Sequence, residues 1–228
     1  MIAEHYLQGF WKIEDVHRFI RIYTQTVQEM SFMPHNPAEV ILGTMILWCS
    51  WLMFNGGSSL GLDGTKAQHV QVSMVNTVVS PSVSGFFTFL TKRKISGLSC
   101  PSRFDFQGYT SGVLAGLVII NASADDVSMN VAALLGIIGS ITYSLGCKFM
   151  HKYEIDDPLE VTQIHACCGF MGLVVAGLFR RDYGVFYNRE EGWQFLVVQV
   201  MGGISIIAFS STISLIFFNL AKILNWLK

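Results

Sequence analysis

GWQFLVVQVMGGISIIAFSSTISLIFFNLA, residues 192–221, is a run of 30 residues without one Asp, Glu, Lys or Arg. A hydrocarbon layer of about 30 Å is crossed by roughly 20 apolar residues of helix, so this stretch alone is long enough to span a bilayer. It has company. The windows 40–62, 67–91, 106–124, 127–147 and 161–179 are equally free of charge. The 15 Lys and Arg and the 16 Asp and Glu of the 228-residue chain are all confined to the segments between and around these windows. No water-soluble core requires such segregation. Charged residues make up 14% of the chain against about 25% in an ordinary soluble domain, and the mean hydropathy is +0.45. In lipid the backbone groups must be satisfied within the segment, and runs this long show no strand alternation, so the expected fold is all-α and integral to the membrane, with six transmembrane helices.

The same arithmetic excludes other classes. A net charge of −1 and a pI near 6.6 offer no basic stripe for nucleic acid, and a membrane barrel needs strands of about ten residues that alternate in polarity. The N-terminal residues carry Glu4, Glu14, Asp15 and Glu29, so neither a cleavable signal nor a transit peptide is expected there. Cys49, Cys147, Cys167 and Cys168 fall inside the windows without a C-x-x-C pair. They read as small buried apolar residues, and neither metal nor cofactor is expected. Counting Lys and Arg on alternate sides of the six windows gives eleven against four. The side holding both termini is therefore expected to be cytoplasmic. Residues 1–38 form a separate interfacial segment on this reading, in which Ile13, Val16, Phe19, Ile20, Tyr23, Val27 and Met30 recur at helical spacing. The membrane domain is residues 39–228.

Seventeen of the 21 glycines lie in the windows, including the ladder Gly108, Gly112, Gly116 and the pairs Gly136 and Gly139, Gly169 and Gly172, Gly202 and Gly203. Small residues let membrane helices approach closely, so these are read as packing positions.

Two features carry chemistry. His165 stands in the fifth window, seven residues beyond Pro158 and so about 10 Å into the helix that Asp157 and Pro158 are placed to start. An ionisable group at that depth is either functional or a packed histidine satisfied by a neighbouring helix. In the first window, Leu47, Trp51, Phe54 and Ser58 are spaced by four, three and four and line one helix face; Val161, His165, Gly169 and Gly172 do the same in the fifth. An aromatic face ending in a hydroxyl can hold a small cation through ring quadrupoles and a hydrogen-bond acceptor, although such stripes also arise from packing alone.

The residues Pro34-His35-Asn36, the run Trp51 to Ser58, Val75-Asn76-Thr77, Gly112 with Ala115-Gly116-Leu117-Val118, Asp156-Asp157-Pro158 followed by His165, and Gly177-Leu178-Phe179 together resemble the second half of the ammonium transporter (Amt/Mep/Rh) superfamily, in its Amt branch. The resemblance implies an eleven-helix protomer in a homotrimer, with one pore between two inverted halves, of which this chain supplies helices six to eleven. It implies that His165 is the second of two pore histidines, Phe54 one of two stacked gate phenylalanines, Ser58 the hydroxyl of an outer ammonium site, and that Trp51, Leu47 and Val161 line the pore. The partners implied are ammonium or ammonia, the lipid bilayer and the first five helices, with the plasma membrane as the expected location. The other pore histidine, gate phenylalanine and recruitment tryptophan belong to that first half, and Ala166 stands where the family usually has glycine.

Two rival readings remain at this level. A half-transporter can persist as a non-conducting accessory subunit. Gly57-Ser58-Ser59-Leu60-Gly61 also fits the G-x-S-x-G pattern of a serine hydrolase, though that motif needs a strand-to-helix elbow.

Overall fold

A computed structural model describes residues 36–96, 106–153, 155, 157, 159–224 and 226. The amphipathic pattern from Ile13 to Met30, Pro34, His35, Asp156 and Pro158 lie outside the described residues. Among those described there are six helices and no strand. They are α1 (Pro37–Gly57), α2 (Gly64–Ser96), α3 (Phe106–Ile120), α4 (Met129–Lys152), α5 (Cys168–Phe179, continuing a π-helical stretch Thr162–Cys167) and α6 (Arg189–Ile223). Each overlaps one charge-free window.

Four of them, counting Thr162–Phe179 as one, are long and apolar enough to cross a membrane by themselves. The other two are the interior of the bundle. Helix α3 has only 15 residues, eleven of them buried. Helix α2 has 33 residues, but it buries a polar seam, Ser73, Asn76, Thr77, Ser80, Ser84, Thr88 and Lys92, recurring every three or four positions. A helix that faces other helices need not be apolar, since its hydroxyls can hydrogen-bond within the bundle. The Ser80 hydroxyl donates to the Gly116 carbonyl (2.9 Å), and that of Thr88 to Ser140 Oγ (2.6 Å).

Close approach explains two of the glycines. A Cβ on Gly116 of α3 would stand 2.6 Å from Pro81 Cα and Ser84 Cβ, and one on Gly136 of α4 would stand 2.4 Å from the Ser80 carbonyl oxygen. Helix α2 is thus clamped at Ser80–Ser84 between two surfaces that have no side chain there. The packing reading does not extend to Gly202, where a Cβ would meet nothing within 4 Å.

Pro81 lies inside α2, and without an N–H it cannot donate to the carbonyl four residues back. That carbonyl belongs to Thr77, and the Trp48 indole N–H of α1 donates to it (2.9 Å). Asn55, also of α1, donates to the Thr77 hydroxyl oxygen (2.9 Å). A helix defect in α2 is therefore the attachment point for α1. At the same end of the bundle the α3–α4 turn is fixed by the Asn76 amide, which donates to the carbonyls of Ala124 (2.9 Å) and Val127 (2.8 Å). Arg180 forks onto Asp125 with bonds of 3.0 and 3.2 Å.

Candidate functional site

Helix α1 carries Leu47, Trp51 and Phe54, with Ser58 immediately after its last turn. Leu47 and Phe54 are 45% and 62% exposed, and Ser58 is exposed as well. Trp51 is half-buried. Its indole N–H donates to Asn121 Oδ1 (2.7 Å), and its ring meets that of Phe54 edge-on with centroids 6.4 Å apart. The Trp51 ring also packs against the buried cluster of Ala115, Val118, Tyr143, Cys147, Ile164 and Cys168. Ile164 directly precedes His165, so the first and fifth segments share this cluster. The Ser58 hydroxyl donates to the Phe54 carbonyl (2.7 Å), which leaves its oxygen lone pairs facing outward as acceptors.

The fifth segment begins later than the sequence suggests: Leu159 and Glu160 are not helical, so the first helical residue is Val161, Asp157 is not its N-cap and His165 stands only about one turn into it. The Asp157 carboxylate accepts the backbone N–H groups of Val161 (3.1 Å) and Thr162 (2.8 Å). Val161 is 49% exposed, and His165 and Ala166 are exposed beside it, whereas Gln163, Ile164 and Cys168 are buried. His165 is therefore not packed against the other described helices. Five of the six candidate residues stand on open surface and the sixth, Trp51, is half-buried behind Phe54. An apolar cleft of about 380 Å³ lies alongside, lined by Met53, Gly56, Leu60, Leu62, Val70 and Met74 among others. None of the six belongs to it.

The residues from Gly57 to Gly61 close a helix and begin a turn. No strand leads into Ser58, so the elbow a hydrolase needs is missing. No group of three or more His, Cys, Asp or Glu among the described residues is placed to hold a metal ion.

Sequence reasoning missed three residues. Asn121 anchors Trp51. Lys92 and Glu160 form a buried ion pair (3.0 Å, side chains 10% and 15% exposed) at the opposite end of the bundle from the α3–α4 turn. Both charges sit just outside windows and read as loop residues. The signal for Lys92 was the α2 polar seam, which continues from Thr88 in one further step of four. Glu160 also accepts hydrogen bonds from the hydroxyls of Ser111 (2.6 Å) and Tyr143 (2.5 Å). Burial by itself would raise the Glu160 carboxyl, but the Lys92 ammonium and these hydroxyls overcome it and hold the group below the usual carboxylate range. Glu160 further adopts φ +55°, a left-handed conformation that costs a residue with a Cβ about 1–2 kcal/mol.

The profile of the Ammonium Transporter Family matches residues 19–228. Ammonium transporter 2 of Schizosaccharomyces pombe is 34% identical over 179 residues, which are 72% of this chain and 32% of that protein. An ammonium transporter of Aquifex aeolicus is 29% identical over 86% of this chain and 45% of its own length. The crystal structure of Candida albicans Mep2 superposes with a TM-score of 0.73 at 27% identity, covering 84% of this chain and 42% of that one. The chain spans less than half the length of each of these relatives. Helix order, membrane-length segments and sequence thus converge: the chain belongs to the ammonium transporter family.

Proposed function

We propose that this chain forms one wall of an ammonium-conducting pathway, and that conduction requires a second wall equivalent to the family's first five helices. The observation that carries the reading is the exposed arrangement of Leu47, Phe54, Ser58, Val161 and His165. An exposed aromatic, an outward hydroxyl oxygen and an imidazole on α1 and the fifth segment are suited to line a passage between two halves rather than a cavity within one. Inverted-repeat transporters bind substrate at such an interface.

The chemistry follows from charge. A hydrated ammonium ion reaching the mouth meets the faces of Phe54 and Trp51 and the oxygen of Ser58, and cation–π attraction of about 1–2 kcal/mol on desolvation offsets part of its dehydration. That attraction cannot carry an intact ion through an apolar lumen, where an isolated charge costs several kcal/mol or more. The ion therefore gives up its proton, for which the His165 imidazole nitrogen is the acceptor on this wall, and passes as neutral ammonia while the proton is relayed separately. His165 is the proton-handling group on this wall, suited to the role because an imidazole ring nitrogen can both accept and donate a proton. In the complete protein we place three such protomers together in the plasma membrane, with the termini of this chain facing the cytoplasm.

Expression in cells lacking ammonium uptake, with and without a supplied first half, tests this. Uptake is expected only with both walls, and His165→Ala is expected to abolish selective conduction by the joined protein. Uptake by the isolated chain as a monomer, or normal selectivity in joined His165→Ala, overturns the reading. A joined protein that assembles but carries nothing makes the chain an accessory subunit.

A further inference from the structure

The cluster around Glu160 takes no part in the pathway just described, yet it lies five residues before His165 at the entrance to the same segment. One carboxylate draws partners from three helices: Lys92 of α2, Ser111 of α3 and Tyr143 of α4. Lys92 also donates to the Tyr143 hydroxyl oxygen (2.7 Å), so the four side chains close on one another.

The segment they hold has two unfavourable features in sequence. Glu160 is left-handed, and Thr162–Cys167 is π-helical. A π turn contains one residue more than the helix needs, which rotates everything before it relative to everything after it. Left-handed residues with a Cβ, like π turns, persist only where the surroundings over-determine them, and they concentrate at functional sites. The over-determination here is visible. The Glu160 carbonyl accepts the Ile164 N–H (3.0 Å), Asp157 accepts the N–H groups of Val161 and Thr162, and α4 presses on the stretch at Gly146, where a Cβ would stand 3.2 Å from Gln163 Cβ. Among the hydrogen bonds of the described residues, those of the Glu160 side chain tie this entrance to three other helices at once.

We infer that Glu160, held by Lys92, Ser111 and Tyr143, is a positioning residue for His165: it anchors the start of the π-helical stretch and so fixes the face on which His165 is presented. The inference rests on the reading of His165 as the pathway imidazole.

The segment carries its own reporters, half-buried Cys167 and fully buried Cys168. Thiol labelling of the full chain in membranes, followed by peptide mapping, reads their ratio, and His165→Cys reads the exposed face. In the unaltered chain Cys167 is expected to label well ahead of Cys168. In Glu160→Gln and in Lys92→Met the ratio is expected to fall at least threefold and labelling at position 165 to slow, while Glu160→Asp restores both. A role limited to stability would lower the unfolding temperature and leave the ratio alone. An unchanged ratio in folded Glu160→Gln therefore overturns the inference. Should that variant fail to insert, Ser111→Ala, which removes one hydroxyl and keeps the ion pair, decides in the same way: a shifted ratio supports the role and an unchanged one overturns it. The labelling needs no ammonium flux, so a chain that conducts nothing removes the pathway reading alone. An unmoved ratio beside normal uptake by the joined protein removes the positioning role alone.

Discussion

Helices α2 and α6 are nearly equal in length, 33 and 35 residues, and opposite in every other respect. Helix α6 exposes large apolar side chains along most of its length and buries only Gly192, Gly203 and Ala221. Helix α2 buries Ser73, Asn76, Thr77, Ser80, Ser84, Thr88 and Lys92, and leaves Val75, Val78, Phe86 and Leu90 exposed. In water the pattern would be read inside out. Where the surrounding solvent is lipid, apolar surface gains nothing from leaving it, and the interior is where hydroxyls find partners and backbones close in. Of the two, the more deeply placed helix is therefore the less hydrophobic one.

The sharpest way to break this contrast is to put the same side chain on each surface. Gly136→Leu forces a side chain into the Ser80 carbonyl, 2.4 Å from where its Cβ must lie, whereas Gly202→Leu on α6 meets open space. The first is expected to cost on the order of 3 kcal/mol or more, because the α2–α4 clamp must open, and the second close to nothing. Thermal unfolding in detergent, followed by the loss of the monodisperse species, measures both. Equal effects would mean that α2 is not clamped as described.

The contrast also shows what sequence could and could not reveal. Complete absence of charge located all six helices, including α2 and α3, which hydropathy and length alone do not bring out. The window 106–124 ran past the helix by a few residues, because α3 ends at Ile120 and a 3₁₀ turn, Asn121–Ser123, follows. That turn brings Asn121 to the Trp51 indole, a contact 70 residues apart that no local pattern announces. The late start of the fifth helix at Val161 was hidden, because Asp157 reads as its N-cap, but the face Leu47, Trp51, Phe54, Ser58 was legible from spacing. Lys92 and Glu160 were not, since the rule that found the helices treats each charge as a marker of water. The rule fails where a lysine and a carboxylate neutralise each other across helices, 68 residues apart in sequence.

That pair gives the second test. Lys92→Met strands a buried carboxylate and is expected to cost about 3 kcal/mol at neutral pH, while Lys92→Met with Glu160→Leu recovers most of it, because only an unpaired charge is costly. The pH dependence has a definite sign. The folded-state pKa of Glu160 lies below its ordinary value, so its stabilising contribution is complete above about pH 4.3, the unperturbed glutamate value, and is lost as pH falls through the lower folded pKa. Acid unfolding of the parent chain should include this loss, and the Lys92→Met/Glu160→Leu double variant should lack it. Identical acid profiles would remove the ion pair from the account of stability.

The smallest effect concerns the seam between the two kinds of surface, where α1 attaches to the defect in α2. Trp48→Phe keeps the ring but withdraws the N–H from the Thr77 carbonyl. Because Pro81 offers no donor of its own, that carbonyl is left unsatisfied at a partly buried site, and a loss of about 1–2 kcal/mol is expected. In a Pro81→Ala background the helix can supply the missing N–H itself, so the same Trp48→Phe change should cost markedly less. The interaction term of this double-mutant cycle isolates the proline as the reason for the tryptophan. Additive effects would show that Trp48 holds α1 by packing alone, and that the helix defect is no part of how the first helix is seated.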